Sequence, residues 1–334
     1  MTARVTIKDI ARELNIHHST VSRALRDDKR VKPETKKKIV GYAKSHGYQV
    51  NMSALHLRGS IRNVIAIIVP NINHQFFSNI ISQITNLANE NGYVVSIFQS
   101  NEDFDQEREI INTIIQNNVA GVIASVSMKT ADGSHFEELK KYKIPLVFFD
   151  RVCDIDVPKV VVNNYEIVMQ AVDMMIGKGY KRIVHVTGTS MLNVFRERQR
   201  GYTDGVKLNK LSYRKIYQVD KGFTIADGKE AAKELFSSQV KPDAILCDSY
   251  NLLLGIISYF DEFGLKVPQD VGLIGFGENP TMEVIKPGIT AIVQPDAEVA
   301  RWTYKILEEK INNDEEGENE SIILSSKIIE RDSC

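Results

Sequence analysis

Thr6–Arg58 reads TIKDIARELNIHHSTVSRALRDDKRVKPETKKKIVGYAKSHGYQVNMSALHLR. Thr6 and Asp9 form a short-acid variant of the capping box, ahead of Ile7, Ile10, Ala11 and Leu14 on one helical face. Asn15 tolerates the left-handed backbone that a tight helix-to-helix turn needs. A second periodic run turns Ile16, Thr20, Val21, Ala24 and Leu25 inward and His18, Ser19, Ser22, Arg23 and Arg26 outward. Two short helices joined in this way suit a helix-turn-helix, whose second helix can enter a DNA major groove. The same spacing also suits a plain helical hairpin with a solvated face. Pro33 and Gly47 bracket a third helix over 33–46, closing a small core with Ile39, Val40 and Ala43 and carrying Lys36, Lys37, Lys38 and Lys44.

Charge is divided along the chain. The net is −1 over 334 residues, yet residues 1–62 carry 14 Lys+Arg against 5 Asp+Glu, and the remainder 28 against 38. A basic head on an acidic body is the footprint of nucleic-acid binding confined to one end. The length suits two or three domains. Cys153, Cys247 and Cys334 are odd in number and widely spaced, which predicts no disulfide framework and fits a reducing cytosol. There is no signal-peptide pattern, and no apolar run approaches the roughly 18 residues of a membrane span.

Over the whole opening stretch, T-I-K-D-I-A-R, T-V-S-R-A-L, V-x-P-E-T, H-G-Y and A-x-x-L resemble the DNA-binding head of the lactose-repressor (LacI/GalR) family. The resemblance implies base-edge contacts from His18, Ser19 and Arg23, with His17 near the helix start. It implies phosphate contacts from Thr6, Thr20, Ser22 and the Lys-rich third helix. It also implies a hinge helix over 51–58, whose Leu57 wedges into the minor groove and kinks the duplex. Leu55 and Val50 stand where the family commonly has Arg and Pro.

From residue 63 strands and helices alternate. Strands are expected at 64–69, 93–98, 119–126, 145–150, 160–162, 182–187, 215–219, 244–247, 271–276, 289–293 and 322–330. Helices are expected at 76–90, 105–117, 135–142, 165–177, 196–208, 226–237, 251–263 and 295–311. So many strands predict two doubly wound parallel-sheet lobes. The stretches N-I-N-H-Q-F-F (71–77), F-D-R (149–151), R-Q-R-G-Y (198–202), V-P-Q-D-V-G-L-I-G-F (267–276) and Q-P (294–295) resemble the periplasmic-binding-protein-like core of the same family. The full expectation is an all-α helix-turn-helix domain at 1–50 and a hinge at 51–62, followed by an α/β core. Its N-terminal lobe is 63–160 with 292–321, and its C-terminal lobe 161–291 with 322–334.

Ligands of such folds sit at strand carboxyl ends. Motif position implies Asn71, Phe76, Phe77, Asp150, Arg198, Phe223 and Tyr250 as effector residues. Tyr250 replaces the family's usual Asp, and Asp248 lies two positions earlier with its direction open. Gly277-Glu278 replaces a common Asp-Asp. These departures weaken a clamp for a simple hexose and favour a phosphorylated or acidic sugar, or a ligand with less need of a carboxylate. No P-loop, G-x-S-x-G or H-E-x-x-H is present, and the histidines are scattered, so neither an enzyme nor a metal or other cofactor is expected. The reading is a cytoplasmic, DNA-binding regulator, a repressor, that binds a pseudo-palindromic double-stranded operator as a homodimer under a small-molecule effector. The alternative is a small-molecule binding protein whose head docks a protein.

Overall fold

The computed structural model describes residues 5–25, 28–48, 62–130, 132–220, 222–277, 279, 281–313, 319 and 321–334. The expected hinge helix, with Val50, Leu55 and Leu57, lies outside the described residues, as do Arg26 and Glu278. The chain divides into two compact units, Met1–Arg62 and Asn63–Cys334.

In the first unit α1 (Ile7–Leu14), α2 (His18–Ala24) and α3 (Pro33–Ser45) enclose Ile10, Val21, Ala24, Val31, Ile39 and Ala43. The capping box is present: Asp9 N–H donates to Thr6 Oγ1 at 3.3 Å and Thr6 N–H to Asp9 Oδ2 at 2.9 Å. Asn15 closes α1 at φ 53°, ψ 45°, the left-handed turn that lets α2 start at once. Val40 departs from expectation and is 43% exposed. Ile39 and Ala43, four apart, share the inner face; Val40 is rotated about 100° from Ile39.

The second unit has two six-stranded sheets. The first runs β11-β5-β4-β3-β1-β2, from β1 (Val64–Val69), β2 (Val94–Gln99), β3 (Gly121–Ala124), β4 (Leu146–Phe149), β5 (Lys159–Val162) and β11 (Ser321–Leu324). The second runs β12-β10-β9-β8-β6-β7, from β6 (Ile183–Thr187), β7 (Lys215–Gln218), β8 (Ala244–Cys247), β9 (Gly272–Phe276), β10 (Thr290–Val293) and β12 (Lys327–Ile329). Central strands such as VIAIIV in β1 are buried because helices cover both faces. Those helices are α4 (Gln75–Glu90), α5 (Phe104–Gln116), α6 (Ser134–Lys141), α7 (Asn164–Gly177), α8 (Asn193–Leu208), α9 (Ile225–Ser237), α10 (Tyr250–Phe263) and α12 (Asp296–Asn312).

The structure revises several details. The single strand expected at 322–330 is two, β11 and β12, in different sheets. β12 pairs antiparallel to β10, so the second sheet is not wholly parallel. Only Ser325 and Ser326 separate β11 from β12, so no helix intervenes where the chain passes from the first sheet to the second. The lobe boundaries at 160, 291 and 321 would each cut a strand. The chain instead crosses at Asn163, at Gln294-Pro295 and at Ser325-Ser326, with α12 returning to the first lobe. The first and third crossings are tied, since Ser326 N–H donates to Asn163 Oδ1 at 2.7 Å. A one-turn helix, α11 (Thr281–Val284), was not foreseen, and α8 begins three residues earlier than expected.

Candidate functional site

Between the two lobes of the second unit lies a cavity of about 440 Å3. Asp150 and Arg151 enter it from the end of β4, and Asp248 and Ser249 from the end of β8. The first two turns of α4, α8, α10 and α12 bring Phe76 and Phe77, Phe195 and Arg198, Tyr250, and Asp296. Strand ends and helix starts converge here because every β-to-α connection of a doubly wound sheet opens on the same side. Two lining residues hold positive φ without being glycine, Asp150 at 58° and Phe223 at 56°. An aspartate tolerates that backbone; a phenylalanine there is strained, and such strain gathers at functional sites. Phe223 is held by a parallel stack on Phe195, with centroids 5.3 Å apart.

Arg198 is the most constrained side chain of the site. Its Nε donates to Asn164 Oδ1 at 2.7 Å, its Nη1 to the Asp248 carbonyl at 3.4 Å, and its guanidinium lies 3.7 Å from the Phe276 ring centroid. The Asp248 carboxylate, 3.8 Å away, is engaged by His185 Nε2 at 2.9 Å and by the Thr187 hydroxyl. Burial alone would push the Asp248 carboxyl up, but His185, Arg198 and Thr187 outweigh it and hold it below the usual aspartate value. Arg151 has its own carboxylate, with Nη1 at 2.8 and 3.0 Å from the two oxygens of Glu102. Burial lowers His74, and the Arg151 charge adds to that, favouring the neutral imidazole. Asp150 goes the other way: burial raises its carboxyl against the opposing pull of Arg151, Arg198 and Gln294.

The lobes also meet through Asn193. Its Oδ1 accepts from Val152 N–H at 2.9 Å and its Nδ2 donates to the Asp150 carbonyl at 3.0 Å. One buried polar atom on the wall, Ser249 Oγ, has no hydrogen-bond partner among the described residues. Buried groups left this way are costly unless a ligand or water satisfies them.

Six of the residues expected from motif position line the cavity: Phe76, Phe77, Asp150, Arg198, Phe223 and Tyr250. Asn71 does not. Its Oδ1 accepts from Asn73 N–H at 2.9 Å, an Asx turn that shapes the approach to α4. His74, Asn79, Arg151, Phe195, Phe276, Gln294 and Asp296 line it beyond those expected, and His74, Arg151, Phe276 and Gln294 stand within the quoted motifs. Asp248 points beneath Arg198. Among the described residues no group of three or more His, Cys, Asp or Glu could hold a metal.

In the first unit α2 presents its polar row. His17 caps the helix: Ser19 N–H donates to its Nδ1 at 3.4 Å, and Ser19 Oγ lies 2.8 Å from the same atom. His17, His18 and Arg23 are exposed, while Ser19, Thr20 and Ser22 are half-buried. The Thr6 hydroxyl donates to Asp9 Oδ2 at 2.6 Å.

Residues 6–51 match the family described as bacterial regulatory proteins, lacI family, and residues 172–334 match the periplasmic binding protein-like domain. Residues 6–51 thus carry a lacI-family helix-turn-helix domain. The chain is 28% identical over 312 residues to catabolite control protein A of Priestia megaterium, covering 93% of each chain. It is 27% identical to the transcriptional repressor CytR of Escherichia coli, covering 97% of this chain and 95% of that one. Its fold is that of the Lac repressor dimer bound to operator and the anti-inducer ONPF, at a TM-score of 0.86, 17% identity and 99% of each chain. It is a DNA-binding protein of transcription regulation, with a helix-turn-helix head and a periplasmic-binding-protein-like core. No described helix is long and apolar enough to cross a membrane.

In this periplasmic-binding-protein-like core, Asp150→Asn is expected to raise the unfolding midpoint of the ligand-free protein near neutral pH. A carboxyl whose folded pKa lies above its unfolded one opposes folding wherever it is ionised. That opposition fades as pH falls through the folded value toward the unfolded one of about 3.9. Asparagine keeps the left-handed backbone and carries no such cost, so its advantage should shrink on acidification. Thermal unfolding of both proteins from about pH 7 to about pH 4 checks this, and a pH-independent difference would refute it.

Proposed function

We propose that the chain is a sequence-specific transcriptional repressor that binds a pseudo-palindromic operator as a homodimer. Its operator affinity is set by a small-molecule effector, a sugar or sugar derivative, held in the cavity between the lobes. It works in the cytoplasm and catalyses no reaction. The observation that carries this reading is the outward row His18, Ser19, Ser22 and Arg23 on a helix whose inner residues Val21 and Ala24 are sealed. Such a row can read base edges, with each base contact worth about 1–3 kcal/mol of discrimination. Phosphate contacts from Thr6, Thr20 and the lysines of α3 set affinity and its salt dependence. The cavity supports the effector: Arg198 and Asp150 suit paired hydroxyls, and Phe76 and Phe223 offer flat faces to a ring. A Lac repressor of the same fold carries operator and anti-inducer together as a dimer, which supports joining the two sites in one mechanism. A change in lobe angle would alter the spacing of the paired hinge segments around Leu57 and release DNA.

The test is selection of bound sequences from a random double-stranded pool, with and without cell extract. Full-length protein should enrich a two-fold symmetric site. Arg23→Ala should bind it about 10- to 100-fold more weakly, and Leu57→Ala should blur its centre. No enrichment under either condition would overturn the DNA-binding reading.

A further inference from the structure

We infer that the far end of the second lobe is a second nucleic-acid surface, one that grips duplex phosphates without reading sequence. It lies outside both the helix-turn-helix head and the cavity.

In the second sheet the ends of the parallel strands face the cavity, so their starts form the opposite end of the lobe. β8, β6 and β7 are neighbours in that sheet, and the connections leading into them are basic. Residues 178–182, 207–215 and 238–243 hold 8 Lys+Arg and one carboxylate, Asp243, although residues 63–334 as a whole carry 28 against 38. Lys178, Lys181 and Arg182 precede β6; Lys207, Lys210 and Arg214 precede β7; Lys241 precedes β8. All seven are exposed. Neighbouring strands stand about 4.8 Å apart, so these side chains share one strip.

Hydrogen bonds to the backbone hold the strip together. Arg182 Nε donates to the Lys241 carbonyl at 2.7 Å, while the Tyr202 hydroxyl accepts from Lys215 N–H at 3.0 Å and donates to the Ile183 carbonyl at 2.7 Å. The carboxylates nearby are already engaged. Asp243 accepts from the amides of Lys181 and Arg182, Asp173 from Asn209 Nδ2 at 2.7 Å, and Glu330 pairs with Lys178. Among the described residues Lys181, Lys207, Lys210, Arg214 and Lys241 form no salt bridge.

Helix ends are the competing account, since α7, α8 and α9 terminate here and a cation in a last turn contributes about 0.3–1 kcal/mol. The first lobe repeats the architecture and does largely without such cations. Its connections 91–93 after α4 and 117–120 after α5 carry no Lys or Arg, and of the connections into β2, β3 and β4 only that after α6 is basic. A protein partner fits less well than a duplex. Protein interfaces are depleted in lysine and close around an apolar centre. Five of the seven cations are lysines, and the exposed apolar side chains among them, Leu208 and Val240, stand on connections with β6 between them. Lysine is a compact point charge that meets phosphate without a fixed geometry, and a duplex offers one charge per about 1.7 Å. Such a strip lets one chain hold a second duplex segment while its head holds the first.

The experiment is acetylation of lysines in the full-length protein with and without a random-sequence DNA duplex, read residue by residue by mass spectrometry. Lys36, Lys37 and Lys38 report on the head in the same samples. Lys181, Lys207, Lys210 and Lys241 should lose reactivity at least about threefold when the duplex is present. Five phosphate contacts lose about 500-fold in affinity between about 50 and about 200 mM salt, so the protection should fade over that range. Replacing Lys207, Lys210 and Arg214 together by Glu should cut the capture of a second, labelled duplex on DNA-coated beads at least about tenfold. Protection of the head lysines alone, or unchanged capture by the triple variant, overturns the inference and leaves the DNA-binding reading of the head standing. Equal protection by phosphatidylglycerol vesicles or by polyglutamate at the same charge concentration also overturns it, and assigns the strip to a membrane or to an acidic protein. Protection of neither set removes the second surface, while sequence selection still reads the head. The wild-type footprint decides alone if the triple variant does not fold.

Discussion

Gly255→Ala is expected to unfold the second lobe under conditions where the parent chain is stable. A Cβ at Gly255 would lie 2.1 Å from the Ile225 carbonyl oxygen, 2.6 Å from the Lys229 nitrogen and 2.8 Å from Gly228 Cα. Gly228 on the facing helix is in the same position, 2.1 Å from the Leu252 carbonyl oxygen. Here α9 and α10 touch backbone to backbone, each glycine filling the notch left by the other. Overpacking usually costs about 1–3 kcal/mol because side chains can swing away. Backbone atoms in two paired helices have no such escape, so a loss of about 4 kcal/mol or more is expected, a size reserved for severe core lesions. Gly228→Ala should match it, and the double variant should cost less than the two together, because the clash is shared. Gly41→Ala provides the contrast. It sits within α3 with nothing within 4 Å of its Cβ, and should stabilise the head by about 0.5–1 kcal/mol. Urea unfolding midpoints read all four; an unchanged midpoint for Gly255→Ala would show that the helices do not close on each other.

Arg198→Ala is expected to cost about 3–5 kcal/mol and to abolish ligand binding in the cavity. The stability loss arises chiefly from what is left behind: a wholly buried Asp248 carboxylate with one fewer cation, and an Asn164 Oδ1 without its donor. Arg198→Lys should not restore either property, since an ammonium cannot lie flat on Phe276 while donating in two directions. The pH dependence has a definite sign. Because the folded Asp248 carboxyl is held below its ordinary value, its contribution is complete above about pH 3.9 and is lost as pH falls through the lower folded value. Protonating Asp248 also removes the stranded charge, so the gap between parent and variant should close in acid. A gap equal at about pH 7 and about pH 3 would show that Arg198 acts by packing alone.

What could be read from the sequence was local. The Thr6–Asp9 cap, the left-handed Asn15 and the inward residues of α2 depend on neighbours within a turn, and they appear as expected. The β-branched runs of the central strands are equally plain, since a strand covered on both faces has no polar side to disguise it. The start of α8 was hidden because Asn193, at its first turn, spends its side chain on the backbone of the other lobe and makes no cap. The break between β11 and β12 carries no strong turn signal; it is set by which sheet has an open edge. In the cavity, motif position located the aromatic rings and Arg198. The electrostatics stayed out of view because each partner is remote: Glu102 for Arg151, Asp248 for Arg198, Asp296 for Asn79 across 217 positions.

The three crossings between the lobes govern the order in which the protein can assemble on the ribosome. The first lobe begins at β1 but lacks α12 and β11 until residues 296–324 have emerged. Until then Val299, Tyr304 and Leu307 are absent from its core, and β5 stands as an uncovered, Val-rich sheet edge. The second lobe, by contrast, is contiguous from α7 through β10 and lacks only the short β12. The half made later is thus nearly complete while the half made earlier still waits. A parallel edge left open through the whole second half of synthesis is the kind of surface that chaperones hold.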